Sequence, residues 1–132
     1  GKKPDDAAPR TRSFEGEPPQ QFNNVHGIAI SNDGLVYVND RQNNRVQVFD
    51  LSGKYLNEVF IDRATKSNFG TSFSSAFSAD PEQRFLYVAD LANFRVTVLE
   101  RKTLKIIPEA AFGHAGLYPG QFLRLHQRLS NQ

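Results

Sequence analysis

The chain has 132 residues, about one domain, and its 39% hydrophobic and 23% charged content excludes a disordered polar tail. A net charge of +2 is too small to argue for a nucleic-acid partner. The lack of cysteine excludes disulfides and thiolate metal sites without fixing a compartment, and no apolar run approaches the roughly 20 residues of a membrane-spanning helix.

Residues 1–15 hold Lys2, Lys3, Pro4, Asp5, Asp6 and Pro9, without apolar alternation, and read as a mobile lead-in. Short strands follow. Gly27–Ser31 is ended by the turn signal Asn32-Asp33-Gly34. Leu35–Asn39 is the second strand and Asp40–Asn44 a polar turn. Arg45–Asp50 is the third strand, with Val46, Val48 and Asp50 alternating against Arg45, Gln47 and Phe49. Leu51-Ser52-Gly53-Lys54 turns the chain into Tyr55–Phe60. A second set is expected near Ser75–Ser78, Phe85–Ala89, Arg95–Glu100 and Lys105–Pro108, with Pro81 in a turn where it removes no ladder bond. No stretch shows helical periodicity with caps. Of the charge, residues 101–132 carry 5 Lys and Arg against 1 acid, while residues 1–100 carry 11 against 13. Arg101, Lys102 and Lys105 are spaced like a solvated hairpin rather than a nucleic-acid surface.

The two sets are copies. Residues 35–50 align without a gap on residues 85–100, and Tyr37, Val38, Asp40, Asn43, Arg45, Val46 and Val48 meet identical residues at an offset of 50. Ahead of them, 27–31 aligns on 74–78 at an offset of 47, so the second copy has three extra residues in its first turn. Gln21-Phe22 returns as Gln121-Phe122 and His26 as His126 at an offset of 100, the start of a third copy. Four strands per repeat of this length is the pattern of a propeller blade. One such sheet cannot bury its faces alone, so blades stack on neighbours. The fold class is therefore all-β, a β-propeller fragment: blade 1 over 16–62, blade 2 over 63–112, and the start of blade 3 over 113–132. A ring of six blades at about 45 residues each needs well over 200 residues. The chain is expected to be a partial product, completed by remaining blades or by self-association through its open strand edges.

These residues resemble the NHL family of six-bladed propellers. The resemblance rests on Gly27-Ile28-Ala29-Ile30, on Val36-Tyr37-Val38-Asn39-Asp40 with Asn43 and Arg45-Val46-Gln47-Val48-Phe49, and on Leu86-Tyr87-Val88-Ala89-Asp90 with Asn93, Arg95 and Val96. Gly116, Pro119, Gly120, Gln121 and Phe122 open the third copy in the same style. It covers about residues 16–126. It departs at Asn24-Val25, where the family has Pro, and at Phe73-Ser74, which stand where blade 1 has His26-Gly27. The family hosts unrelated activities, so the resemblance speaks to fold more than to function.

The repeat signature Asp40, Asn43, Arg45, Asp90, Asn93 and Arg95 is expected to be structural, its carboxylates accepting turn N–H groups and pairing with the arginines. His26 and His126 stand just before inner strands of alternate blades. In a six-bladed ring, three such positions converge on one mouth, and three imidazoles with an open fourth position are what catalytic zinc takes. Phe73 in the intervening blade fits that alternation, and the third ligand would lie beyond Gln132. The resemblance extends to the peptidyl-α-hydroxyglycine α-amidating lyases, which it implies would hold zinc in the central cavity with histidines of this kind. The competing reading is that His26 bonds the backbone of a neighbouring blade. His114, in Gly113-His114-Ala115-Gly116, reads as an exposed connector residue. Ser74 and Ser75 have no companion base, and there is no phosphate loop. Three functions follow. The first is a scaffold binding a protein or small-molecule ligand, with no catalytic residue and no cofactor. The second is part of a zinc-dependent lyase, and the third an RNA-binding face.

Overall fold

The computed structural model describes residues 12–113. His114, His126 and the start of blade 3 lie outside the described residues, as do residues 1–11 of the lead-in. Blade 1 is a four-stranded antiparallel sheet in chain order: β1 (Val25–Ile30), β2 (Leu35–Asp40), β3 (Arg45–Asp50) and β4 (Tyr55–Phe60). Blade 2 repeats the order with β5 (Ser74–Phe77), β6 (Phe85–Asp90), β7 (Arg95–Glu100) and β8 (Lys105–Ile106), and adds β9 (Phe112–Gly113), which also pairs with β7. The registers superpose: Asp40 opposes Arg45 and Tyr37 opposes Val48, as Asp90 opposes Arg95 and Tyr87 opposes Val98. The described residues hold no α-helix, only 3₁₀ turns at Arg41–Asn43 and Pro108–Ala110.

The fourth strand of blade 2 corrects the expected Lys105–Pro108. It ends at Ile106, and the chain leaves the ladder through the 3₁₀ turn led by Pro108. It returns at Phe112, opposite Val96, the place that Val59 holds opposite Val46 in blade 1. Proline has no N–H for the ladder, so the strand breaks where it stands.

The main core lies between the blades. Period-2 alternation puts Tyr37, Val46 and Val48 on one face of blade 1, against Leu86, Val88 and Leu99 of blade 2, with Ile61 and Leu104 closing the ends. The Tyr37 ring meets Phe77 edge-on, with centroids 5.3 Å apart at 74°, a favoured aromatic geometry. On the far side of blade 2, Ala89, Leu91 and Val96 pack with Phe73, Tyr87 and Phe112. Blade 1 leaves Ile28 and Ile30 exposed on its other side. The innermost strands β1 and β5 lie next to each other.

Candidate functional site: the mouth at the inner strands

His26, on β1, is exposed. Its Nδ1 lies 2.9 Å from the main-chain oxygen of Phe73, and its ring stacks on the Phe73 ring at 3.8 Å and 36°. Since a carbonyl only accepts, Nδ1 carries the proton, and in the neutral ring Nε2 is left with a lone pair. The Arg41 guanidinium lies 5.4 Å over the other partner of this stack, the Phe73 ring, and donates to the oxygens of Asn68 and Phe69. Phe69 itself is exposed beside them. The chain reaches this point through Gly70, at φ +69°, where an added Cβ would stand 2.2 Å from the Arg41 oxygen. Only glycine fits so close an approach of two backbones.

Near this stack a buried amide ties β2 to β5 and the residues just before it. Asn39 Nδ2 donates to Ser72 Oγ at 3.1 Å and Ser75 Oγ at 2.8 Å, while its Oδ1 has no partner. A Cβ on Gly27 would stand 2.9 Å from that Oδ1. The sequence reading missed this contact, because Asn39 aligns with Ala89 and so carries no repeat signal. Ser74 and Ser75 thus sit in packing between the strands, and Ser74 Oγ is buried without a partner.

The signature residues are placed differently in the two blades. In blade 1, Asp40 and Arg45 are fully buried and paired at 2.8 Å. Asp40 also accepts from Asn43 Nδ2 and the Asn23 N–H, both at 2.7 Å. Arg45 goes on to the oxygens of Pro19 and Gln21 and to Glu58. In blade 2, Asp90 is fully buried but accepts from Asn93 alone among hydrogen-bonded side chains, and Arg95 turns to Asp62. Burial pushes the Asp90 carboxyl up to about 6, against the smaller opposing effect of the Asn93 and Ala92 donors.

Two further arginines bond main-chain oxygens. Arg12 donates to the oxygens of Gln42, Lys66 and Ser67, and Arg63 to those of Gly16, Glu15 and Glu17. The last residues of the lead-in, 12–15, are therefore tied to the connector between the blades. Arg101 is a correction. Expected in a solvated hairpin, it is 2% exposed and donates to Asp33 Oδ1 and Tyr37 Oη at 3.0 Å each. It also holds the oxygens of Gln83 and Glu82. The loop brings it back against blade 1, and charge spacing along the chain carries no sign of that. Asp33 is held below the usual carboxylate range by the Ser31 hydroxyl first and by Arg101 as well.

Residues 22–49, which span β1, β2 and β3, match the family model described as NHL repeat. The chain carries an NHL repeat and folds as propeller blades. "NHL repeat-containing protein 3" of Mus musculus is 35% identical over 89 residues, 67% of this chain and 24% of that protein. The Homo sapiens protein of the same name is 31% identical over 97 residues, 73% of this chain and 26% of its own length. The chain thus spans about a quarter of the length of these NHL relatives. Virginiamycin B lyase from Staphylococcus aureus, as its selenomethionine crystal structure, matches with a TM-score of 0.55 at 17% identity, over 74% of this chain and 29% of that one. At that identity the likeness shows the propeller fold alone.

Proposed function

We propose that the chain supplies two stacked blades of a binding propeller, and that a protein or small-molecule ligand meets it at the mouth where β1 and β5 begin. One observation carries this reading. The signature carboxylates are buried in the blades and their arginines are engaged with carboxylates, whereas His26 and Phe69 stand exposed beside the half-buried Arg41–Phe73 stack. An aromatic and cationic surface set where β1 and β5 begin is a suitable anchor for a ligand. A photo-crosslinking residue placed at Phe69, and separately at Lys102 at the far end of blade 2, tests it in extract of the source cells. One defined adduct from Phe69, lost in His26→Ala and absent from Lys102, supports the reading. Equal labelling from both ends, or none, removes it.

A second reading has one observation in its favour. An Nδ1–H bond to a backbone oxygen is the outer-shell arrangement that orients a metal-binding imidazole, and His26 has it. His26 fits as one zinc ligand of a lyase of the peptidyl-α-hydroxyglycine α-amidating type. The described residues contain no group of three metal-binding side chains, so His126 and a further histidine would have to join it. Zinc, when bound there, would supply a Lewis acid or an activated water. The part of this chain is to hold the His26 ring through Phe73. Zinc well below one equivalent in the complete propeller would remove this reading. Arg12, Arg41 and Arg63 donate to main-chain oxygens, and no observation favours the RNA-binding face.

A further inference from the structure

Arg95 stands between two carboxylates. Its Nη2 is on Asp62, in the connector between the blades, whose side chain is 46% exposed. Its Nε lies 3.6 Å from Asp90 Oδ2, beyond hydrogen-bond reach, and is buried without a hydrogen-bond partner. Asp90 is fully buried, and its carboxyl is pushed up to about 6 by that burial. Blade 1 shows the same atoms closed, with Arg45 Nε 2.8 Å from Asp40 Oδ2. Arg95 and Asp62 also line a cavity of about 230 Å³ with Ile61, Thr97, Ile106, Pro108 and Ala111.

We propose that Arg95 is a latch between Asp62 and Asp90, set by whether Asp90 carries a proton. A protonated Asp90 makes no demand on a cation, so the guanidinium ties the connector at Asp62 to β7. An ionised Asp90 is a buried charge, and such a charge is held only when paired. The nearest cation is Arg95, and an inward shift of under about 1 Å brings its Nε within bonding range. Asp62 is half in water and gives up its partner at small loss. Among the described residues, the ionic groups that face Asp90 are Arg95 from β7 and, beyond it, Asp62 from the connector. Asn93 from the turn is neutral. The latch therefore holds the connector below the Asp90 midpoint and loosens it above.

The readout is the Thr65 amide, which donates to the Asp62 oxygen at 2.9 Å. Its hydrogen-exchange protection, corrected for the intrinsic rate at each pH, is measured by NMR from pH 5 to 8. In the 132-residue chain protection should fall several-fold through a midpoint near that of Asp90. Asp90→Asn should be flat and high, and Asp62→Asn flat and low. A step that survives in Asp90→Asn, or no step in the unaltered chain, overturns the proposal. If the variants fail to fold, the unaltered chain still decides. The Asp90 carboxyl carbon and the Arg95 Nε–H resonance must move with one midpoint, and separate midpoints overturn it.

Discussion

Blade 1 and blade 2 write the same Asp-x-x-Asn-x-Arg motif into the same register and finish it differently. In blade 1 the preceding connector comes in beside the motif. It gives Asp40 the Asn23 N–H and gives Arg45 the oxygens of Pro19 and Gln21. In blade 2 the connector turns at Gly70 against Arg41, and Arg12 and Arg41 hold the oxygens at 66–69. Asp90 then lacks a bonded arginine Nε, and Arg95 turns to Asp62. The lesson is that a buried ion pair is completed by its surroundings. The motif places the charges, and the connector decides whether they close.

The comparison can be broken most directly at the arginines. Arg45→Ala strands a buried carboxylate and should cost about 3–5 kcal/mol in denaturant unfolding. At pH 5, where Asp90 keeps its proton, Arg95→Ala loses only the half-exposed pair with Asp62 and should cost about 1 kcal/mol or less. Equal costs would end the distinction drawn between the blades. Asp90 sharpens it through pH. Its folded value, about 6, lies above the ordinary 3.8. The folded state therefore binds the proton more tightly, and stability falls as pH rises through that window. The whole effect is on the order of 3 kcal/mol at most. Unfolding followed from pH 4 to 7 should show this decline in the unaltered chain, and Asp90→Asn should abolish it.

Arg101→Ala should cost about 2 kcal/mol by calorimetry, since Asp33 and Tyr37 both lose a charged donor. Leu51, its counterpart in blade 1, is 70% exposed, and Leu51→Ala should change stability by under about 0.5 kcal/mol. The smallest contrast lies at the inner strands. Gly27→Ala pushes on an Asn39 amide that Ser72 and Ser75 hold in place, and should cost about 1–2 kcal/mol. At the matching position of blade 2, Ser74→Ala removes a hydroxyl without a partner and should be near neutral by the same melting assay.

Most of the sheet architecture was legible because it is periodic. Strand positions, their pairing and the two-blade division follow from alternation and from seven identities at one offset. What repeats can be read by self-comparison, and what differs between copies cannot. Asn39 against Ala89, Arg101 against Leu51 and Ser74 against Gly27 are such differences, and they make or shape the contacts between blades. The break at Pro108 was half visible, as a residue that stops a strand but does not say where the strand resumes. At the mouth, His26 and Phe73 were singled out by their matching positions. Their stack, and the Arg41 group laid over it, depend on how β1 and β5 are set side by side.

The exchange of arginines between the lead-in and the connector also bears on how the chain assembles. Arg12 grips residues 66 and 67, and Arg63 grips 15, 16 and 17, so each segment is the other's clamp across about 50 residues of sequence. Neither clamp closes until both segments have arrived, which makes their ordering a single late event of high sequence separation. A chain beginning at Pro18 would keep every strand of both sheets. It should nevertheless open at 62–67 far more readily, with proteolytic nicking there as the visible sign.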